Sequence, residues 1–191
     1  MSKNPLLLIH EPLYTILKMT IRKILLIVLL IIISCKTAKV ETDSVSQNTE
    51  QTESQYPKQI GFVNDFENIF TKEQKTQLTE FLTYYQNTSY REIAVITLDS
   101  VPKNMEFDQY AIKLSDNWKV GKNNGGNGLT IVLSKTLKAV RISTTDKTKQ
   151  LYLSDQFCKK VINENMIPEF KKGNYYDGVL LGLNELIKKW G

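Results

Sequence analysis

The chain has 191 residues, a formal charge of +5, two cysteines and a single histidine, His10. That length accommodates a leader, a linker and one domain able to bury a real core. Because His10 lies ahead of an export-type segment, the exported form is expected to contain no imidazole, which excludes Ser-His-Asp and Cys-His catalysis, phosphohistidine chemistry, most catalytic zinc sites and haem ligation by histidine.

Residues 19–35, MTIRKILLIVLLIIISC, join a basic start to an apolar run and a cysteine. Arg22 and Lys23 form the positive segment, Ile24 to Ile33 the apolar one, and Ser34-Cys35 supplies the small residue and thiol that a lipoprotein-type signal peptidase accepts. The apolar run is shorter than the roughly 20 residues that span a bilayer. The sequence therefore predicts a signal segment over 1–34 and lipidation of Cys35, with plain secretion or an uncleaved anchor as the alternatives. Ile32 and Ile33 stand where Leu and a smaller residue are more usual, and Met19 serves equally well as the start.

Residues 35–56 follow as a stretch rich in Thr, Ser, Gln and Glu. With almost nothing apolar to offset the entropy of ordering it, this is expected to be a disordered tether that holds the domain off a membrane. The folded domain is expected over 57–191. Its mild positive excess is scattered, except for Lys159-Lys160, Lys171-Lys172 and Lys188-Lys189, which read as cations complementing helix ends rather than a nucleic-acid surface. Cys158, left without a partner thiol or a histidine, reads as a half-buried helical residue and not a nucleophile.

Within the domain, Thr71 to Gln74 fits a capping box, and Leu78, Phe81, Leu82 and Tyr85 recur on one face of the helix that follows. Ile93 to Leu98 is a wholly apolar, β-branched run, as a central strand requires. Phe107, Ala111, Leu114 and Trp118 predict a second helix that stops at Gly121. The loop GKNNGGNG, Gly121 to Gly128, then leads into a buried strand, Leu129 to Leu133, which gives a right-handed βαβ crossover. Ala139 to Ser143 is expected to return antiparallel as a hairpin, with Leu151 to Leu153 as a short further strand. Ser154-Asp155 caps a helix carrying Phe157, Val161, Ile162 and Met166, ended or kinked by Pro168. Asn174 is expected to cap the last helix, whose buried face is Val179, Leu183, Leu186 and Trp190.

In an open α/β sheet the ligand crevice lies beyond the carboxyl ends of the parallel strands, where Asp99 and Ser100 fall. The glycine loop lacks the strand-before, helix-after order and the Lys-hydroxyl pair of a phosphate loop, and reads as a mobile connection. Three oxygen-bearing segments stand out as cation candidates: Asp65 before the first helix, Asn127 in the glycine loop and Asp155 before the third helix. Without histidine, only a hard ion such as Ca2+ or Mg2+ suits them. An Asp ahead of a helix is also an ordinary capping residue.

The order VNDFENIFTKEQKTQL, EIAVITLDS, WKVGKNNGGNGLTIVLS, AVRIS, LSD and MIPEFKKGNYYDGVLLGLNEL resembles the TPM-domain family over Gly61 to Ile187. That resemblance implies an α/β fold built as a three-layer α/β/α sandwich, with the βαβ crossover and an antiparallel hairpin edge, tethered at a membrane. It implies acid phosphatase activity, Ca2+ or Mg2+ binding, or accessory roles in assembling or repairing membrane complexes. Asp65, Asn127, Arg141 and Asp155 match family positions. Ser143 to Lys147 departs from the glycine-containing loop that family members carry there, and Thr does not permit the backbone conformations that glycine does.

Two functions remain open at this point. The first is an envelope-tethered accessory module, read as a monomer, that binds Ca2+ or Mg2+ through Asp65, Asn127 and Asp155 and contacts a membrane-protein partner, with no role for nucleic acid. The second is a divalent-metal-dependent acid phosphatase, which without histidine would need an aspartate nucleophile or metal-bound hydroxide. No aspartyl-nucleophile signature is present.

Overall fold

Two apolar strands lying side by side set the architecture of the computed structural model, which describes residues 55–191. The export signal, Cys35 and residues 35–54 of the tether expected over 35–56 lie outside the described residues, and the tether's last residue, Tyr56, is not loose but packs its ring 5.3 Å from that of Tyr110. Strand β2 (Glu92–Thr97) pairs parallel with β3 (Gly128–Ser134), from Glu92 opposite Gly128 to Thr97 opposite Leu133. Both strands alternate between two cores. Ile93, Val95, Leu129, Ile131 and Leu133 face one cluster, and Ala94, Ile96 and Val132 face the other. Burial on both sides explains why these runs are apolar throughout.

The crossover between them is helix α2 (Phe107–Trp118), which buries Tyr110, Ala111 and Leu114 on the second face. The first face is covered by α1 (Lys72–Ser89) and by the C-terminal helices, giving the three-layer α/β/α arrangement. Helix α1 begins with the capping box, Thr71 accepting from Gln74 N and Gln74 accepting from Thr71 N. Its face is as expected, with Leu78, Leu82 and Tyr85 buried. Strand β4 (Ala139–Thr144) runs antiparallel to β3 and forms the edge of the sheet, whose order is β1-β2-β3-β4.

Four local features add to or correct the expectations. Val63–Asp65 is a strand, β1, parallel to β2, although three residues with two polar side chains give too short an alternation to read. Leu151 to Leu153 is not a strand. Thr145 accepts from Thr148 N and so caps a short helix, α3 (Asp146–Leu151). The helix opened by Ser154 is α4 (Asp155–Val161), and it widens into a π-helix over Ile162–Met166 before α5 (Ile167–Lys171) begins with Pro168 in its first turn. The missing proline N–H explains why the ladder changes there. Asn174 precedes α6 (Tyr175–Trp190) without capping it, because its amide donates to Glu169 Oε2 instead. Helix α6 buries Val179, Leu183, Leu186 and Trp190 as its periodicity requires.

The glycine loop is a built corner, not a loose connection. Lys122–Asn124 forms a 3-10 turn, Gly121 N donates to Glu92 Oε2 at 2.8 Å, and Gly126 N donates to Gly121 O at 3.0 Å. At this corner the chain passes itself closely. A Cβ at Gly121, where φ is +83°, would lie 2.3 Å from Gly128 Cα, and one at Gly128 would lie 2.1 Å from Val120 O. Backbone cannot yield as a side chain can, so Gly128→Ala is expected to cost on the order of 4 kcal/mol or to prevent folding, measured by thermal denaturation. Ala at Gly61, which meets nothing within 4 Å, is expected to leave the midpoint unchanged.

Candidate functional site

Asp65 ends β1 with a side chain 1% exposed, and every one of its oxygens is engaged inside the protein. Oδ1 accepts from Thr97 Oγ1 at 2.7 Å and from Ile69 N at 3.0 Å; Oδ2 accepts from Phe70 N at 3.2 Å and lies 3.5 Å from Lys75 Nζ. Two residues on, Glu67 accepts from Lys135 N, Thr136 N and Thr136 Oγ1, which ties the β3–β4 turn down over the same end of the sheet. Buried Asn64 likewise spends its amide on Ile60 N, Gly61 N and Gly61 O. Beyond the carboxyl ends of the parallel strands, where a crevice is expected, these polar groups are therefore spent on internal hydrogen bonds. Asp99 and Ser100, which fall there, are exposed and bonded to each other.

Asn127 lies at the opposite end. It precedes Gly128, the residue opposite Glu92, whereas Asp65 is in register with Thr97 and through it with Leu133. Nearly the whole of β3 separates the two, roughly 20 Å at about 3.3 Å per residue. The Asn127 amide donates to Asn124 O and helps close the glycine corner. Asp155, in the first turn of α4, is 70% exposed and pairs with Lys149 at 2.5 Å. Asp65, Asn127 and Asp155 are not brought together, and these donor sets do not fit a shared Ca2+ or Mg2+ ion. Among the described residues no group of three or more His, Cys, Asp or Glu side chains could hold a metal.

What the fold does assemble is a groove of about 1260 Å³ around edge strand β4, walled by α4, the π-helix and α5. Its floor is apolar, formed by Leu133, Val140, Ile142, Ile162, Ile167 and Phe170. Its rim is cationic. Lys135 and Lys138 from the β3–β4 turn, Lys159 from α4 and Lys171 from α5 surround it, and none of these four has an ion-pair partner among the described residues. The acids beside it are neutralised: Asp108 by Arg141 at 3.2 Å and Asp155 by Lys149. Arg141 and Asp155 are thus the two family-matching residues that do share a surface. Lys159 and Lys171 were legible in sequence only as helix-end cations, and Lys135 and Lys138 carried no signal. Nothing local indicated that one groove collects them.

Cys158 lines the groove wall, 4% exposed, and burial first, with the Asp155 charge second, pushes its thiol up to about 11. It holds its proton at neutral pH, as a buried structural thiol does. A thiol in an unfolded chain ionises near pH ~8.5, so the stability contributed by keeping Cys158 neutral is complete below that pH and is lost as pH climbs towards 11. Denaturant midpoints of Cys158→Ala are expected to fall less steeply than those of the parent over that window. Removing the Asp65 charge tests the other assignment. Asp65→Asn leaves buried donors partly unmet and is expected to cost about 2 kcal/mol, equally in EDTA and in excess calcium. A calcium-dependent loss would make Asp65 a metal ligand.

Three solved structures share the fold. The N-terminal domain of a protein from P. gingivalis is 28% identical at a TM-score of 0.60, over 66% of this chain and 80% of that one. The N-terminal domain of the cg2496 protein from Corynebacterium glutamicum is 12% identical at 0.52, over 82% and 88%. The BA42 protein from the psychrophilic bacterium Bizionia argentinensis is 19% identical at 0.57, over 65% and 83%. No curated protein sequence matches the chain. The family model described as TPM domain matches residues 63–189, from β1 to the last turn of α6, and the chain belongs to that family.

Proposed function

We propose that the chain is an envelope-anchored accessory module that works by binding, with the lysine-rimmed groove as its recognition surface and Cys35 as its lipid attachment. The single observation that carries this reading is the pairing pattern around the groove: its acids are internally neutralised while, among the described residues, Lys135, Lys138, Lys159 and Lys171 have no ion-pair partner. Such a surface attracts anions. It offers little to a hydrolytic step, because the groove presents no free carboxylate beside a nucleophile and its thiol is protonated.

The tether and lipid predicted for residues 35–56 supply the setting. A domain held near a membrane meets partners at raised effective concentration, so modest affinity suffices. A membrane protein with an anionic segment is the partner class that suits both the anchor and the groove.

Detergent-solubilised full-length chain is expected to bind polyglutamate, more weakly as salt rises, and to leave p-nitrophenyl phosphate intact with Ca2+ or Mg2+ present. Lys135→Glu combined with Lys171→Glu is expected to abolish polyglutamate binding without altering the circular dichroism spectrum. Turnover of the ester that depends on the added ion would replace this reading with the phosphatase one.

A further inference from the structure

Among the described residues, strand β4 has a neighbouring strand on one side only. Thr145 N donates to Gly128 O at 3.1 Å, and the register places Ser143, Arg141 and Ala139 opposite Thr130, Val132 and Ser134 in the same phase. In an antiparallel ladder the intervening residues turn their backbone groups the other way. The N–H and C=O of Val140 and Ile142 therefore point out of the sheet, into the groove. Ile142 is only 6% exposed and Val140 is half-buried, so the accessible part of this edge is its start, beside Lys138.

We infer that the groove takes an extended, acidic segment of a partner protein, laid along the outer side of β4 as an added strand. This rests on the reading of the groove as a binding surface and names its occupant. Three features of one place agree on it. The edge offers unpaired backbone groups, the floor offers apolar contact to every second side chain, and the rim offers positive charge to residues between them. The four lysines, without ion-pair partners among the described residues, come from three separate elements spread around the groove rather than from one loop. Point charges spread along a groove match carboxylates spaced along a strand. The same lysines also decide against other occupants. A second copy of β4, paired antiparallel about a two-fold axis, would bring one cationic rim beside the other, with Lys138 or Arg141 meeting its own equivalent according to register, so the edge disfavours itself and accepts an acidic strand.

The test uses full-length chain in detergent micelles and fluorescein-labelled decapeptides. One alternates Glu and Val, a second alternates Lys and Val, and a third has the Glu-Val sequence with alternate backbone nitrogens methylated so that it cannot complete a ladder. Saturable binding of the first is expected, with none of the second and at least about tenfold weaker binding of the third. Lys138→Glu with Lys159→Glu is expected to weaken the first peptide by about tenfold or more while the unfolding midpoint stays within a degree or two. Equal binding of the methylated peptide overturns strand addition but leaves the anionic groove standing. Failure of both the Glu-Val peptide and polyglutamate overturns both readings together. Binding of soluble dihexanoyl phosphatidylglycerol at the groove, with no binding of the peptide, assigns the site to a lipid and also overturns the proposal.

Discussion

A carboxylate buried at the end of a three-residue strand organises this domain. Asp65 cannot be solvated where it lies, and a charge removed from water is tolerated only when donors surround it. Thr97 from β2, two backbone N–H groups from the turn before α1, and Lys75 from α1 itself supply them. One side chain thus fixes the register of β1, the entry angle of α1 and the hydroxyl of the neighbouring strand. Thr97 in turn accepts from Glu67 N, and Glu67 holds the β3–β4 turn, so the network reaches across the whole sheet end.

That closure determines where a ligand can go. Parallel sheets commonly leave a crevice at the carboxyl ends of their strands, but here those groups satisfy one another. The opposite end is shut by the crossing of Gly121 and Gly128, where backbone meets backbone with no room for a side chain. With the polar groups at one end spent on each other and the backbone crossing itself at the other, a groove opens at the antiparallel edge, between β4 and the interrupted helix α4–α5. The π-helix over Ile162–Met166 contributes to this. It lets Met166 fill the core against Gly182 of α6 while the following turn, with Phe170 packed on Gly178, swings to form the groove wall.

Much of the fold is legible because burial writes itself as periodicity. The faces of α1, α2 and α6 and the two-sided burial of β2 and β3 are visible in their apolar spacing, and the parallel crossover follows from their order. Strand β1 is illegible because its stability comes from the Asp65 bonds and not from side-chain alternation. Helix α3 is hidden because its cap, Thr145, lies in a segment that departs from the family's glycine pattern. The role of Asp65 is invisible for a related reason: its closest donor is Thr97, far away along the chain, so an isolated acidic residue before a helix looks the same whether it holds an ion, a cap or a strand pair.

The groove shows the same limit from the side of function. Lys159 and Lys171 each sit in the last turn of a short helix, where a cation complements the local dipole and needs no further reason. Their neighbours Lys160 and Lys172 do pair, with Glu164 and Glu169, along their own helices. Local electrostatics therefore accounts for one lysine of each doublet and leaves the other facing the edge strand, together with Lys135 and Lys138. Among the described residues the rim has no acidic partner, so its mutual repulsion is offset only by the dipole contribution of Lys159 and Lys171. The proposal of a negatively charged partner rests on this arrangement around β4, more than on any single residue.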